Sequence, residues 1–134
     1  MPVTLVDSNV LLDVLADDQD WCEWSSAMLG RAAYEGALVI NPLIYAEVAA
    51  GFPNVEEVEQ ALPSSYYRRV DLPWTAAFLA GHAFRKYKRA GGIRRSPLAD
   101  FYIGAHAAVA GFTLLTRDPR RYREYFPTVR LVAP

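Results

Sequence analysis

The chain alternates short, continuous apolar runs with helix-period segments, and several of the apolar runs end on a polar residue. Residues 3–6 (VTLV) run into Asp7, residues 37–40 (ALVI) into Asn41-Pro42, and residues 112–115 (FTLL) into Thr116-Arg117-Asp118. Uninterrupted apolar strands joined by helices demand a parallel sheet covered on both faces. The helical segments are residues 9–16, 20–35, 43–50, 55–62 and 73–90, one from Ser96-Pro97 to about Ala110, and a short one opened by Asp118-Pro119. Asn54 and Ser96 read as N-caps, Pro97 as the first helical residue and Gly111 as the C-terminal stop. Residues 67–72 and 129–132 read as further short strands, the first of them at an edge. The expected architecture is α/β, with a central parallel sheet.

With 134 residues, 52% of them hydrophobic, the chain suffices for a single domain spanning 1–134. Cys22 is the only cysteine, which excludes a disulfide scaffold. With His82 and His106 it cannot complete a structural zinc site. No apolar run approaches the roughly 20 residues of a membrane span. The start shows no basic region followed by an apolar stretch, so a cytoplasmic protein is expected. The net charge of -1 hides an asymmetry: up to Tyr67 there are eleven acids and one arginine, and beyond it thirteen basic residues and four acids. The second half is rich in arginine, whose planar fork suits phosphate oxygens.

In parallel α/β sheets the ligand crevice lies beyond the carboxyl ends of the strands. Asp7 and Asp118 fall there, although each could serve merely as a helix cap. Glu47 and Asp100 are harder to explain structurally. Glu47 is the lone charge in LIYAEVAA, and Asp100 the lone charge from Ser96 to Leu115. Helices apolar all round are usually buried, and a buried carboxylate needs a partner or a metal. Asp100 falls one residue beyond the capping-box position if Ser96 is the cap, and Gly104 and Ala107 leave room beside it. Converging carboxylates repel, and Mg²⁺ or Mn²⁺, which prefers hard oxygen ligands, resolves the repulsion. Basic residues nearby suit a polyanionic substrate, so metal-dependent phosphodiester cleavage is expected.

The same residues carry a family resemblance. Asp7-Ser8-Asn9-Val10-Leu11-Leu12 resembles the D-[TS]-[NS]-x-[LI]-L opening of PIN-domain ribonucleases. Asn41-Pro42-Leu43-Ile44-Tyr45-Ala46-Glu47 resembles their second acidic motif. Asp100-Phe101-Tyr102-Ile103-Gly104-Ala105-His106-Ala107 resembles the D-x-x-I-A-A-x-A helix, with Gly104 where alanine is commoner. Leu114-Leu115-Thr116-Arg117-Asp118 resembles L-x-T-x-D. The four occur in order across nearly the whole chain, and its size and basic second half look most like VapC toxins of type II toxin–antitoxin pairs. The resemblance implies a three-layer α/β/α PIN-like domain and an acidic catalytic quartet of Asp7, Glu47, Asp100 and Asp118. It implies a Mg²⁺ or Mn²⁺ site at Asp7, Asp100 and Asp118, supported by Ser8 and Thr116, with Asn9 placed to help. It also implies an RNA substrate, a homodimer and inhibition by a cognate VapB-type antitoxin.

Arg85, Lys86, Arg94, Arg95, Arg117 and Arg120 are the candidate RNA-phosphate contacts, which would make binding salt-dependent. Tyr87, Tyr102 and Tyr122 could stack on bases, core packing being favoured for Tyr102. Cys22 reads as buried filler, and His82 and His106 as unneeded by the chemistry. A receiver-type phosphoacceptor would need paired acids after the first strand and a late lysine; a haloacid-dehalogenase-type phosphatase would need Asp at position 9. Neither pattern is present. A non-catalytic RNA-binding module is the remaining alternative, and it would gain nothing from four separated acids.

Overall fold

The computed structural model describes residues 1–92 and 97–134. Its described elements are β1 (Thr4–Val6), α1 (Ser8–Leu15), α2 (Cys22–Glu35), β2 (Leu38–Ile40), α3 (Pro42–Ala49), α4 (Val55–Ala61), β3 (Tyr67–Arg69), α5 (Trp74–Arg89), α6 (Leu98–Ala110), β4 (Thr113–Leu115), α7 (Arg120–Tyr125) and β5 (Leu131–Val132). The strands form one all-parallel sheet in the order β3-β2-β1-β4-β5. β1 and β2 are buried at every residue, so both faces of the sheet are covered, as in a three-layer α/β/α fold. Leu5, Val6, Val39, Ile40, Leu114 and Leu115 are wholly buried at its centre.

Chain order places the crevice. After β1 the chain builds outward through β2 and β3, then crosses back to add β4 on the other side of β1. The switch point therefore lies between β1 and β4, where ligands of such sheets bind. There the backbone N–H of Asp7 donates to the Leu115 carbonyl at 2.9 Å, locking the two strand ends together.

The local devices explain the boundaries. Asn41 caps α3, its Oδ1 accepting from the Ile44 N–H at 2.9 Å with Pro42 in the first turn, and Asn54 caps α4 at 3.0 Å. Gly111 ends α6 at φ 71°, a left-handed conformation that favours glycine. α2 starts later than the acids at its front suggest, because Asp18 Oδ1 accepts from the backbone N–H groups of Asp20 and Trp21 and holds a turn there. β3 ends at Arg69 because its neighbour β2 turns into α3 one residue after Ile40. Val129 is drawn out of β5 by a turn in which its N–H donates to the Phe126 carbonyl.

α6 begins at Leu98, with Pro97 in the capping position rather than inside the helix; Ser96 lies outside the described residues. Gly104 does not leave open space beside Asp100. A Cβ built there would meet the Phe126 ring at 2.4 Å, so the glycine admits that ring instead. Cys22 is half-exposed, 3.8 Å from the Ser26 hydroxyl, rather than buried filler. Among the described residues no helix is long and apolar enough to cross a membrane.

Candidate active site

Asp7 both caps α1 and faces the crevice. Its Oδ1 accepts from the Ser8 N–H at 2.8 Å. Its Oδ2 accepts from the Thr116 hydroxyl at 2.9 Å, the Tyr122 hydroxyl at 2.9 Å and Asn9 Nδ2 at 3.4 Å. The carboxyl is only 3% exposed. Burial pushes its pKa up from 3.8 to about 6, against the pull of the Thr116 and Tyr122 hydrogen bonds; the charges of Asp100 and Glu47 push it further up.

The other three acids arrive from separate elements. Glu47, on α3, is half-buried and accepts a 2.8 Å hydrogen bond from the Ser8 hydroxyl. Burial raises its pKa, the Ser8 bond lowers it and the Asp100 charge raises it again. Asp100 stands in the first turn of α6, where an acid could complete a capping box, but Pro97 has no N–H to receive it. Arg121 Nη1 instead donates to Asp100 Oδ2 at 3.0 Å. Burial raises the Asp100 pKa, Arg121 lowers it and Asp118 raises it. Asp118 is exposed on the loop after β4 and does not cap α7, whose capping position is Pro119. Its backbone N–H donates to the Thr116 hydroxyl at 3.1 Å, which ties that loop to the Asp7 network.

Asn9 completes the network. Its Oδ1 accepts from the Arg117 N–H at 3.0 Å, and its Nδ2 donates to the Thr116 hydroxyl at 3.3 Å. Ser8, Asn9 and Thr116 thus lie in direct contact with the acids. The structure links the four carboxylates in a chain of electrostatic contacts: Asp7 feels Asp100 and Glu47, Glu47 feels Asp100, and Asp100 feels Asp118.

Among the described residues no three His, Cys, Asp or Glu side chains form a ready-made metal cluster. The donor set still fits a hard cation. It consists of carboxylates, three of them held above their ordinary pKa by burial and in part by one another's charge. Mg²⁺ in particular keeps several waters and takes only one or two carboxylates directly, so a preformed cage is not required.

The basic residues separate into distinct groups. Arg117 does not project toward a ligand: its Nε and Nη2 donate to Asp13 at 2.8 and 2.9 Å, and its guanidinium lies 5.4 Å from the Trp21 ring. Arg85 and Lys86 are exposed near the end of α5, and Arg120 is exposed on α7. Arg120 lines a cleft of about 460 Å³ with Tyr87, Gly91, Asp118, Arg121 and Tyr125. Arg94 and Arg95 lie outside the described residues. Tyr122 cannot stack on a base, being 2% exposed and bonded to Asp7. Tyr102 is half-buried, its hydroxyl 3.4 Å from the Pro73 carbonyl. His106 is buried, 3.0 Å from Asn41 Nδ2, and burial lowers its pKa; His82 is exposed beside Phe78.

Two supporting residues escape sequence reading. Tyr122 fixes Asp7, and burial together with the Asp7 charge keeps the phenol protonated, hence always a donor. Asp13, 2% exposed, accepts from Ser25 Oγ at 2.8 Å as well as from Arg117, joining α1, α2 and the loop that carries Asp118. Asp13 was detectable as another lone charge in an apolar helix, NVLLDVLA. Tyr122 had no comparable signal, since arginines surround it.

A parallel α/β domain gathering four carboxylates at its switch point is the class that fold and site define. The chain belongs to the PIN domain family, which matches residues 4–126. No curated protein matches it in sequence. Among solved structures it is similar to VapBC2 from Rickettsia felis bound to a promoter DNA fragment, with a TM-score of 0.75 and 18% identity over 98% of each chain. It is also similar to VapBC-1 from nontypeable Haemophilus influenzae, with a TM-score of 0.74 and 16% identity over 98% of this chain and 97% of that one. A toxin–antitoxin complex from Klebsiella pneumoniae gives a TM-score of 0.64 and 18% identity over 96% and 95%.

Proposed function

We propose that the chain is a Mg²⁺- or Mn²⁺-dependent endoribonuclease, the VapC-type toxin of a type II toxin–antitoxin pair, held inactive by a cognate VapB-type antitoxin and working as a homodimer. The observation that carries the nuclease reading is the meeting of Asp7, Glu47, Asp100 and Asp118 at the switch point, beside a cleft lined by Arg120 and Arg121. Membership of the PIN domain family supports the reaction class, and similarity to VapBC and other toxin–antitoxin assemblies supports the antitoxin partner.

Asp7, Asp100 and Asp118 would hold the cation. When bound, it supplies charge neutralisation and Lewis-acid polarisation at the phosphodiester. Asp7 is oriented for this by the donors to its Oδ2, which leave Oδ1 with the Ser8 N–H alone among described partners. Glu47 is aimed by Ser8, and its raised pKa suits accepting a proton from an attacking water. In-line attack that expels the 3′-oxygen leaves 5′-phosphate ends. Arg120, with Arg85 and Lys86, would meet phosphates along the strand.

The test is cleavage of total cellular RNA by the purified chain, with Mg²⁺ or Mn²⁺ against EDTA, beside Asp100→Asn. Discrete metal-dependent fragments that vanish in the variant, while RNA binding persists, are the expected result. Equal cleavage by both proteins refutes the catalytic assignment.

A further inference from the structure

Two arginines near the crevice are paired with acids, and the pairs differ in kind. Arg117 grips Asp13 with two hydrogen bonds, and the Asp13 side chain is 2% exposed. Arg121 meets Asp100 through a single-ended contact, Nη1 donating to Oδ2 at 3.0 Å, and the two side chains are 34% and 40% exposed. The first is a fixed structural pair; the second is open to water, and such pairs dissociate at little cost. The Arg121 guanidinium also lies 5.5 Å from the Tyr87 ring and 5.9 Å from the Phe101 ring. These rings can retain the cation without Asp100. The cleft it lines also contains Arg120 and Asp118. Its neighbour Tyr122, buried against Asp7, anchors α7 and so fixes the root of the Arg121 side chain.

Resting on the nuclease reading above, we infer that Arg121 is an exchangeable counter-ion of the acidic site. It holds Asp100 in the cation-free protein and passes its guanidinium to an RNA phosphate when a divalent cation takes Asp100. The two cations compete for one carboxylate, so each weakens the other's hold by the same factor. The exchange couples loading of the site to recognition of the substrate: only the loaded site frees the arginine fork for phosphate oxygens. It also covers Asp100 with a positive group while the site is empty, which limits the repulsion among the four acids.

The experiment measures Mn²⁺ binding to the RNA-free chain by electron paramagnetic resonance, and KM and kcat for RNA at saturating Mn²⁺. It compares wild type, Arg121→Gln and Arg121→Lys, with folding checked by circular dichroism. Arg121→Gln is expected to bind Mn²⁺ about fivefold more tightly, the value of one exposed ion pair. Its KM for RNA is expected to rise about tenfold, the share of one charge-assisted phosphate contact. Arg121→Lys keeps the charge but loses the planar fork, so its Mn²⁺ affinity should stay within about twofold of wild type while KM rises. Mn²⁺ affinity that is unchanged or weaker in a folded Arg121→Gln overturns the inference, because a purely structural arginine would behave that way. A wild type that neither binds Mn²⁺ nor cleaves RNA overturns the nuclease reading and this inference with it. A wild type that does both, beside variants losing metal and RNA affinity together, overturns the inference alone.

Discussion

Asp7→Asn should make the protein more stable at neutral pH while abolishing its activity. Asp7 is buried, and its pKa stands at about 6 against an ordinary 3.8. The displacement of about two units corresponds to about 3 kcal/mol of folding free energy. The sign follows from proton counting. Below pH 3.8 the carboxyl is neutral in both folded and unfolded chains, and its contribution is fully favourable. Between 3.8 and about 6 the unfolded chain gives up the proton and the folded chain keeps it, so stability falls as pH rises. Above about 6 the whole penalty is present. An amide carries no such penalty, but it offers one acceptor oxygen in place of two. Either the Ser8 N–H or the group of donors at Oδ2 loses its partner, at a cost of about 1–2 kcal/mol. The net gain at pH 7.5 is about 1–2 kcal/mol, a rise in Tm of several degrees for a chain of this size (about 3 °C per kcal/mol). At pH 4.5 the sign reverses, because the wild-type carboxyl is then largely neutral and keeps its bonds. Thermal melts in EDTA from pH 4.5 to 8 measure the difference between the two proteins. Glu47 and Asp100 titrate in both, and their repulsion of Asp7 is already contained in its raised pKa. Added Mg²⁺ should raise the wild-type Tm more than that of the variant. A Tm difference that does not change with pH, or a variant less stable at pH 7.5, refutes the reasoning.

Three further substitutions probe the framework around the acids. Gly104→Ala should destabilise by about 1 kcal/mol in urea melts, because overpacking against Phe126 costs about 2 kcal/mol and helix propensity returns about 1; in a Phe126→Leu background the loss should disappear. Arg117→Ala should cost about 3 kcal/mol by leaving the Asp13 carboxylate buried with Ser25 as its one remaining side-chain partner among the described residues, a far larger effect than losing a surface phosphate contact would cause. Tyr122→Phe removes a donor to Asp7 and should move its pKa further up by about half a unit or more, read by carboxyl ¹³C NMR in EDTA; an unmoved value means the phenol does not hold Asp7.

The sheet was legible because its strands are continuous apolar runs that a parallel, doubly covered sheet requires. The boundaries were less so, since each depends on a neighbour: β5 is shortened by a turn to Phe126, and β3 by the early exit of β2 into α3. Asp100 shows how a local argument can succeed for an incomplete reason. Spacing from Ser96 placed it one residue late for a capping box; in the structure it stands at the right place, and the box fails because Pro97 has no N–H.

Glu47, Asp100 and Asp13 all show the same signature, a single charge in an apolar helix. That signature reports desolvation and the need for a partner, but not the partner's sign. Asp13 lies well along α1 from the strand end, where it meets Ser25 and, 104 residues away in sequence, Arg117; its charge is neutralised within the protein. Asp7, Glu47 and Asp100 come from three different elements around the switch point and face one another, so their charge is compounded. Asp13, buried and gripped by Arg117, is architecture, whereas Asp7, Glu47 and Asp100 raise one another's pKa and meet an arginine only in the water-exposed Arg121–Asp100 pair, an arrangement that the proposed cation would complete. The difference lies in topology, in which helix starts open onto the end of which strand, and that is why the three-dimensional fold separates Asp13 from the site when the sequence pattern does not.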